Sequence, residues 1–158
     1  MEPLIKLPKP VIERVGQLEE LELKYNLKFP EEYKHFFVNY ELNDFFKLTD
    51  DLGTYIGYQS EQLKDYVYSH ILISHFCTAR EMEDWYEMFF DLEFFKGEGT
   101  QVVMSYGSTF IVLVANEKSP NYGKVLYYDL EMATDKCFVL GDSFNEFLSF
   151  IGYISTES

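Results

Sequence analysis

Residues 18–40 read LEELELKYNLKFPEEYKHFFVNY, and this stretch predicts two amphipathic helices joined by a short linker. Pro30 suits the first position of the second helix, and the acidic Glu31 and Glu32 favour the positive end of the helix dipole. Apolar residues recur three or four positions apart in both helices: Val11, Val15, Leu18, Leu21 and Tyr25, then Tyr33, Phe36, Phe37 and Tyr40. We therefore predict an antiparallel helical hairpin, linked by residues 26–29, that covers a sheet.

Capping residues predict the N-termini of two further helices. Thr78 with Glu81, and Ser143 with Glu146, match the S/T-x-x-E capping box, in which each side chain satisfies a backbone donor of the other residue. A middle helix should begin at Ala79 and a closing helix after Ser143, with Phe144, Phe147, Leu148 and Ile151 facing inward.

The remaining segments follow β patterns or stay ambiguous. Strands are predicted at residues 48–58, 100–106, 110–114, 124–130 and 137–140, the last of these being the final strand. Ser60 is predicted to cap a helix over residues 61–69, whereas residues 71–76 fit a helix and a strand equally well. Residues 1–10 contain three prolines and are predicted to be an extended lead-in.

Composition indicates one soluble domain over residues 1–158. With 47% hydrophobic and 18% aromatic residues, a chain of this length can bury about 70% of its unfolded surface. No apolar run approaches the roughly 20 residues of a membrane span, and no signal-peptide pattern opens the sequence, so we expect a cytoplasmic protein. Cys77 and Cys137 form no framework pattern and are expected to be reduced, buried thiols.

The charge balance favours basic partners. The sequence has 27 acidic and 13 basic residues, and its formal net charge is -14. Such a charge repels nucleic-acid phosphates and anionic membrane surfaces, whereas it attracts a basic protein. We therefore expect a protein partner, without nucleic-acid or membrane binding.

Patterns for catalysis, metals and cofactors are weak. His70, His75 and Cys77 match no standard zinc spacing, and an apolar flank disfavours Cys77 as a nucleophile because it raises the thiol pKa. Carboxylate pairs are too abundant to identify an acid–base site, and residues 97–99 put a carboxylate where a phosphate loop would need none. We expect no catalytic residue, cofactor or metal.

Surface recognition is the remaining candidate activity. Aromatic anchors ringed by charge are typical of interface hot spots, although Trp85 also lies on an apolar stripe and fits a core position. The candidate partner-binding residues form two acidic segments, Glu41, Asp44, Asp50 and Asp51 in the first, and Glu81, Glu83, Asp84, Trp85 and Glu87 in the second.

The order of LKFPEEYKHFF, a β-rich middle, KVLYYDL and GDSFNEFLSFI resembles the SUKH superfamily, which includes yeast cell-wall regulators and bacterial toxin-immunity proteins. The resemblance implies a single α+β domain, whose mostly antiparallel sheet is flanked by the helical hairpin, the middle helix and the C-terminal helix. The chain departs from the family where an Asn-Gly-Gly turn commonly follows the second helix, because it reads Asn39, Tyr40 and Glu41 there.

The resemblance also implies a non-catalytic immunity protein that binds and neutralises a cognate toxin. Acidic side chains would then occupy the cationic cleft of a nuclease-type toxin. A regulatory scaffold is the alternative, but scaffold relatives carry long disordered extensions and this sequence shows no such tract. A small hydrolase using Cys77 or a carboxylate pair is a third hypothesis.

Overall fold

The computed structural model describes residues 4–43, 54–66, 68–91, 96–131 and 137–155. These residues form four α-helices and seven strands in an α+β fold. The helices are α1 (Glu13–Tyr25), α2 (Glu31–Asn39), α3 (Ala79–Phe89) and α4 (Phe144–Ser149). The strands are β1 (Thr54–Tyr58), β2 (Ile71–Phe76), β3 (Gly99–Ser105), β4 (Thr109–Val114), β5 (Val125–Asp129), β6 (Cys137–Gly141) and β7 (Ile151–Ser155).

All seven strands join one curled sheet in the order β6-β5-β4-β3-β2-β1-β7. Every neighbouring pair is antiparallel. Strands β1 to β6 therefore lie in the sheet in their order along the chain, whereas β7 returns from the C-terminal side to pair with β1. This architecture confirms the predicted fold class.

The secondary structure predicted for the chain beyond Ser149 is wrong. Helix α4 stops at Ser149, and Ile151, although buried in the main core as predicted, begins β7 instead of lying on the helix. The strand at residues 137–141 is consequently not the last one. Strand β7 exists because β1 offers it a partner, with Tyr58 opposite Ile151, and a partner so distant in sequence leaves no local pattern.

Two other boundaries differ from the sequence prediction, and one ambiguity is resolved. Pro30 is the N-cap of α2, one residue before the first helical position. Ser60 does cap a helix, by accepting a hydrogen bond from the Gln62 amide, but that helix is a 3₁₀ turn over Glu61–Leu63. The ambiguous segment 71–76 is strand β2.

The aromatic face of α2 lies in the main core, as its periodicity predicts. The Tyr33 ring meets the Phe144 ring of α4 edge-on at 4.9 Å between centroids. The Phe36 ring contacts Phe76 of β2 at 4.7 Å. Leu18 and Leu21 of α1 are buried in the same cluster. Each such side chain stabilises the fold by about 1.5–3 kcal/mol through burial alone.

Strand β4 is buried on both faces, as expected for a central strand. Ile111 and Leu113 point into the main core, whereas Phe110, Val112 and Val114 form a second cluster. Trp85 of α3 covers this second cluster, where its ring meets Phe110 at 5.3 Å. Helix α3 therefore serves both clusters, since its Met82 lies in the main core.

The lead-in pairs with the chain that follows α2. The Leu7 amide donates to the Asn39 carbonyl, and the Glu41 amide donates to the Ile5 carbonyl. Arg14 of α1 donates to two carbonyls at the C-terminal end of α2, those of Phe37 and Tyr40, each at 3.0 Å. These bonds satisfy carbonyls that a helix end leaves without internal partners.

The capping box of α3 forms as predicted. The Glu81 amide donates to the Thr78 hydroxyl, and the Glu81 carboxylate accepts from the Thr78 amide at 3.1 Å. The second carboxylate oxygen lies 2.8 Å from Nε2 of His75. Burial opposes the charge on Glu81, but the hydrogen bonds from His75 and Thr78 outweigh it and lower the pKa of Glu81 below its usual value.

Two glycine-to-alanine variants should have opposite effects on stability. A Cβ at Gly99 would lie 2.0 Å from the Leu113 carbonyl oxygen, so we expect Gly99→Ala to reduce the free energy of unfolding by about 1–3 kcal/mol. A Cβ at Gly16, inside α1, meets nothing within 4 Å, so Gly16→Ala should raise it by about 0.5–1 kcal/mol. Urea unfolding of both variants tests the pair, and a Gly99→Ala protein as stable as wild type would contradict it.

Replacing Glu81 should change how the stability of the fold depends on pH in the acid range. Because its folded pKa is depressed, the ionised Glu81 stabilises the fold above about pH 4.3 and loses that effect as pH falls through the folded value. We expect Glu81→Gln to lower the melting temperature at pH 7 and to approach wild type near pH 3. Glu19→Gln, at an exposed site on α1, is the control and should match wild type at both pH values.

Candidate functional site

Helices α1 and α3 are joined by a small network of charged and aromatic side chains. Lys24 of α1 lies 3.3 Å from Glu83 and 3.5 Å from Glu87, both on α3. The neighbouring Tyr25 donates a hydrogen bond to Glu87, and its ring packs on Tyr86 at 4.0 Å between centroids. Two of the predicted partner-binding acids thus also hold the helices together.

The network perturbs the groups within it. Burial, followed by the hydrogen bond to Glu87, raises the pKa of Tyr25 to about 12. The same hydrogen bond, assisted by Lys24, lowers the pKa of Glu87, and the contact with Glu83 raises the pKa of Lys24. All three groups therefore keep their usual charge states at neutral pH.

A shallow groove of about 420 Å³ runs between the two helices beside this network. Gln17, Glu20 and Leu21 line it from α1, and Ala79, Arg80, Glu83 and Asp84 line it from α3. Glu20 and Asp84 are exposed, and neither forms an ion pair with any described residue. These two carboxylates outnumber the one exposed cation of the lining, Arg80, so the groove stays net negative. We call the groove and its rim the α1–α3 acidic face.

The structure separates the predicted site residues. Glu83, Asp84 and Glu87 belong to the α1–α3 acidic face, whereas Glu81 is engaged by Thr78 and His75. Trp85 is only 7% exposed and packs in the second core cluster, so its core position is the one that the fold realises.

The other acidic segment is described only in part. Glu41 is half-buried, and its amide bonds the lead-in. The predicted residues Asp44, Asp50 and Asp51 lie outside the described residues.

Sequence reasoning missed the contribution of α1. Glu20 and Lys24 lie off the apolar stripe of the first helix, which predicts that they face solvent. No local pattern indicates that this face borders α3. The available signal was weak: α1 repeats acidic residues at positions 13, 19, 20 and 22, which is also typical of an ordinary solvated face.

The two cysteines and the other side chains considered for catalysis or metal binding lie in different environments. Burial raises the pKa of the Cys77 thiol, which opposes formation of the nucleophilic thiolate. Cys137 is exposed, so the prediction of a buried thiol is right for Cys77 and wrong for Cys137. Among the described residues, no three or more His, Cys, Asp or Glu side chains are grouped to hold a metal ion. Nor is any helix in the described ranges long and apolar enough to cross a membrane.

Comparison with known protein families matches residues 15–149 to the SMI1 / KNR4 family (SUKH-1). The matched span begins inside α1 and ends with the last residue of α4, so it includes both helices of the acidic face. A search of curated proteins found no match. SUKH proteins include immunity proteins, and their domains generally bind other proteins. Because the match covers most of the sequence, this chain belongs to the SMI1 / KNR4 (SUKH-1) family.

Proposed function

We propose that this protein is a non-catalytic, cytoplasmic immunity protein that binds and neutralises a cognate bacterial toxin. Membership of a family that includes immunity proteins supports the class of function. The observation that carries the mode of binding is the α1–α3 acidic face, where the carboxylates of Glu20 and Asp84 are exposed and make no ion pair with a described residue.

Charge complementarity supplies the mechanism. A net charge of -14 attracts a basic domain from a distance, which raises the association rate more than the final affinity. Unpaired carboxylates at the contact then replace the phosphates that a nuclease-type toxin binds in its cationic cleft. Substrate and immunity protein would compete for the same cleft.

A catalytic role has little physical support from the groups considered for it. Cys77 is buried with a raised thiol pKa, and the carboxylate of Glu81 is occupied as a helix cap. Glu83 and Glu87 are both engaged by Lys24. Binding through the remaining exposed carboxylates is therefore the simpler proposal.

Co-expression with the toxin encoded beside the gene tests the proposal directly. We expect rescue of growth and a complex that co-purifies with the toxin. Failure of both results would contradict the immunity role. A stable complex with a protein that is not a toxin, without any rescue, would favour the regulatory scaffold instead.

Charge reversal on the acidic face should weaken that complex. We expect the double variant Glu20→Lys and Asp84→Lys to raise the dissociation constant by tenfold or more, because each lysine would repel a basic partner. Titration calorimetry at two salt concentrations measures the effect, which should be larger at low salt.

The matched control carries the same change in net charge elsewhere. Glu61→Lys, in the 3₁₀ turn, and Asp142→Lys, just before α4, are exposed substitutions at residues that do not line the groove. This control should lose far less affinity than the double variant on the acidic face. Equal losses would mean that only overall charge matters and that the face makes no direct contact.

A further inference from the structure

A second concave site lies where the turn between β3 and β4 meets the start of β2 and the end of β5. Its volume is about 410 Å³, and it opens to solvent. Tyr106, Gly107 and Ser108 line it from the turn, Asp129 from the end of β5, and Tyr66 and Tyr68 from the segment before β2. We call it the tyrosine pocket.

Asp129 is the unusual residue of the tyrosine pocket. The residue is only 8% exposed, although aspartate is rarely buried without a charged partner. It accepts a hydrogen bond from the Tyr66 hydroxyl at 2.6 Å and one from the Glu131 amide at 3.0 Å. No lysine or arginine of the described chain pairs with it, and none lines the pocket.

The neighbouring tyrosines hold Asp129 in one orientation. The Tyr66 hydroxyl also lies 2.9 Å from the hydroxyl of Tyr127, which precedes Asp129 by two residues on β5 and therefore shares its face of the sheet. Burial, followed by the bond to Asp129, raises the pKa of Tyr66 well above its usual value. Tyr66 thus remains a protonated donor, and the carboxylate keeps lone pairs for a further donor, since an ionised carboxylate offers about four acceptor sites.

The titratable side chains that line the pocket are tyrosines and carboxylates apart from one histidine, His70. Tyr68 and Tyr106 are 62% and 58% exposed, so their rings face water. Glu131 adds a second carboxylate at the mouth. Tyrosine faces attract cations, and arginine stacks on them while donating a two-pronged hydrogen bond to a carboxylate.

We propose that the tyrosine pocket receives an arginine side chain of the protein partner, with its guanidinium bound to Asp129 and stacked on Tyr68. The guanidinium would supply the positive partner that the buried Asp129 carboxylate lacks. This inference rests on the proposed function, because it takes the cation from a basic partner protein. It adds a specific anchor that the α1–α3 acidic face does not provide.

Titration of the isotope-labelled protein with N-acetyl-arginine amide, followed by NMR, tests the pocket without any toxin. We expect saturable shifts of the Gly107, Ser108 and Glu131 amide signals. The citrulline analogue, which has nearly the same shape but no charge, should bind at least tenfold more weakly. Equal shifts with both probes, or no saturable shift at these amides, would overturn the pocket.

Three variants complete the test. Asp129→Asn should weaken binding of the arginine probe by tenfold or more, and Tyr68→Ala should weaken it several-fold. Because Asp129 is buried, a loss of binding in Asp129→Asn can also come from a change in the fold. Tyr68 is exposed, so Tyr68→Ala measures the contribution of the pocket to binding without that effect. Tyr153→Ala, at an exposed site on β7 away from the pocket, is the control and should bind as wild type does.

The cognate toxin separates this inference from the proposed function. We expect Asp129→Asn and Tyr68→Ala to weaken the toxin complex as they weaken probe binding. A toxin that binds wild type and both variants equally would overturn the pocket and leave the immunity role standing. A wild-type protein that binds the arginine probe but not the toxin would contradict the immunity role and, with it, the assignment of the arginine to that partner.

Discussion

The aromatic side chains of α2 are held between α4 and the sheet, and the rest of the N-terminal half is positioned by that contact. Tyr33 meets α4 through Phe144, and Phe36 reaches β2 through Phe76. With α2 fixed in this way, its C-terminal carbonyls become the acceptors for Arg14 of α1, and its last residues pair with the lead-in. Interiors packed this tightly transmit such constraints because they leave few voids in which a helix could shift.

The placement of α3 couples the core to the candidate surface. Met82 and Trp85 bury one side of this helix in two separate clusters, and the opposite side must therefore carry its acids toward α1 and solvent. Lys24 neutralises part of that charge, which lets two acidic helices lie side by side. The exposed negative charge of Asp84 is thus a consequence of how α3 is anchored.

The acidic face and the tyrosine pocket differ in the kind of recognition that they can provide. Exposed carboxylates on a highly charged protein act at long range and weaken with salt, so they favour encounter with any basic surface. A buried carboxylate among tyrosines acts only at contact, where a shaped cation must replace water. Together the two features would combine rapid association with selection of a particular partner.

The sequence by itself determined the elements whose signals are local: the aromatic stripe of α2, the capping box at Thr78, and the two-sided apolar run of β4. It also determined the family, because the order of these elements is written along the chain. Only the tertiary structure decided what depends on distant partners, namely strand β7 beside β1, the core position of Trp85, and the meeting of Lys24 with α3. Asp129 shows the physical reason: its neighbour Tyr66 lies 63 positions away in sequence, and periodicity carries no information about pairs so far apart.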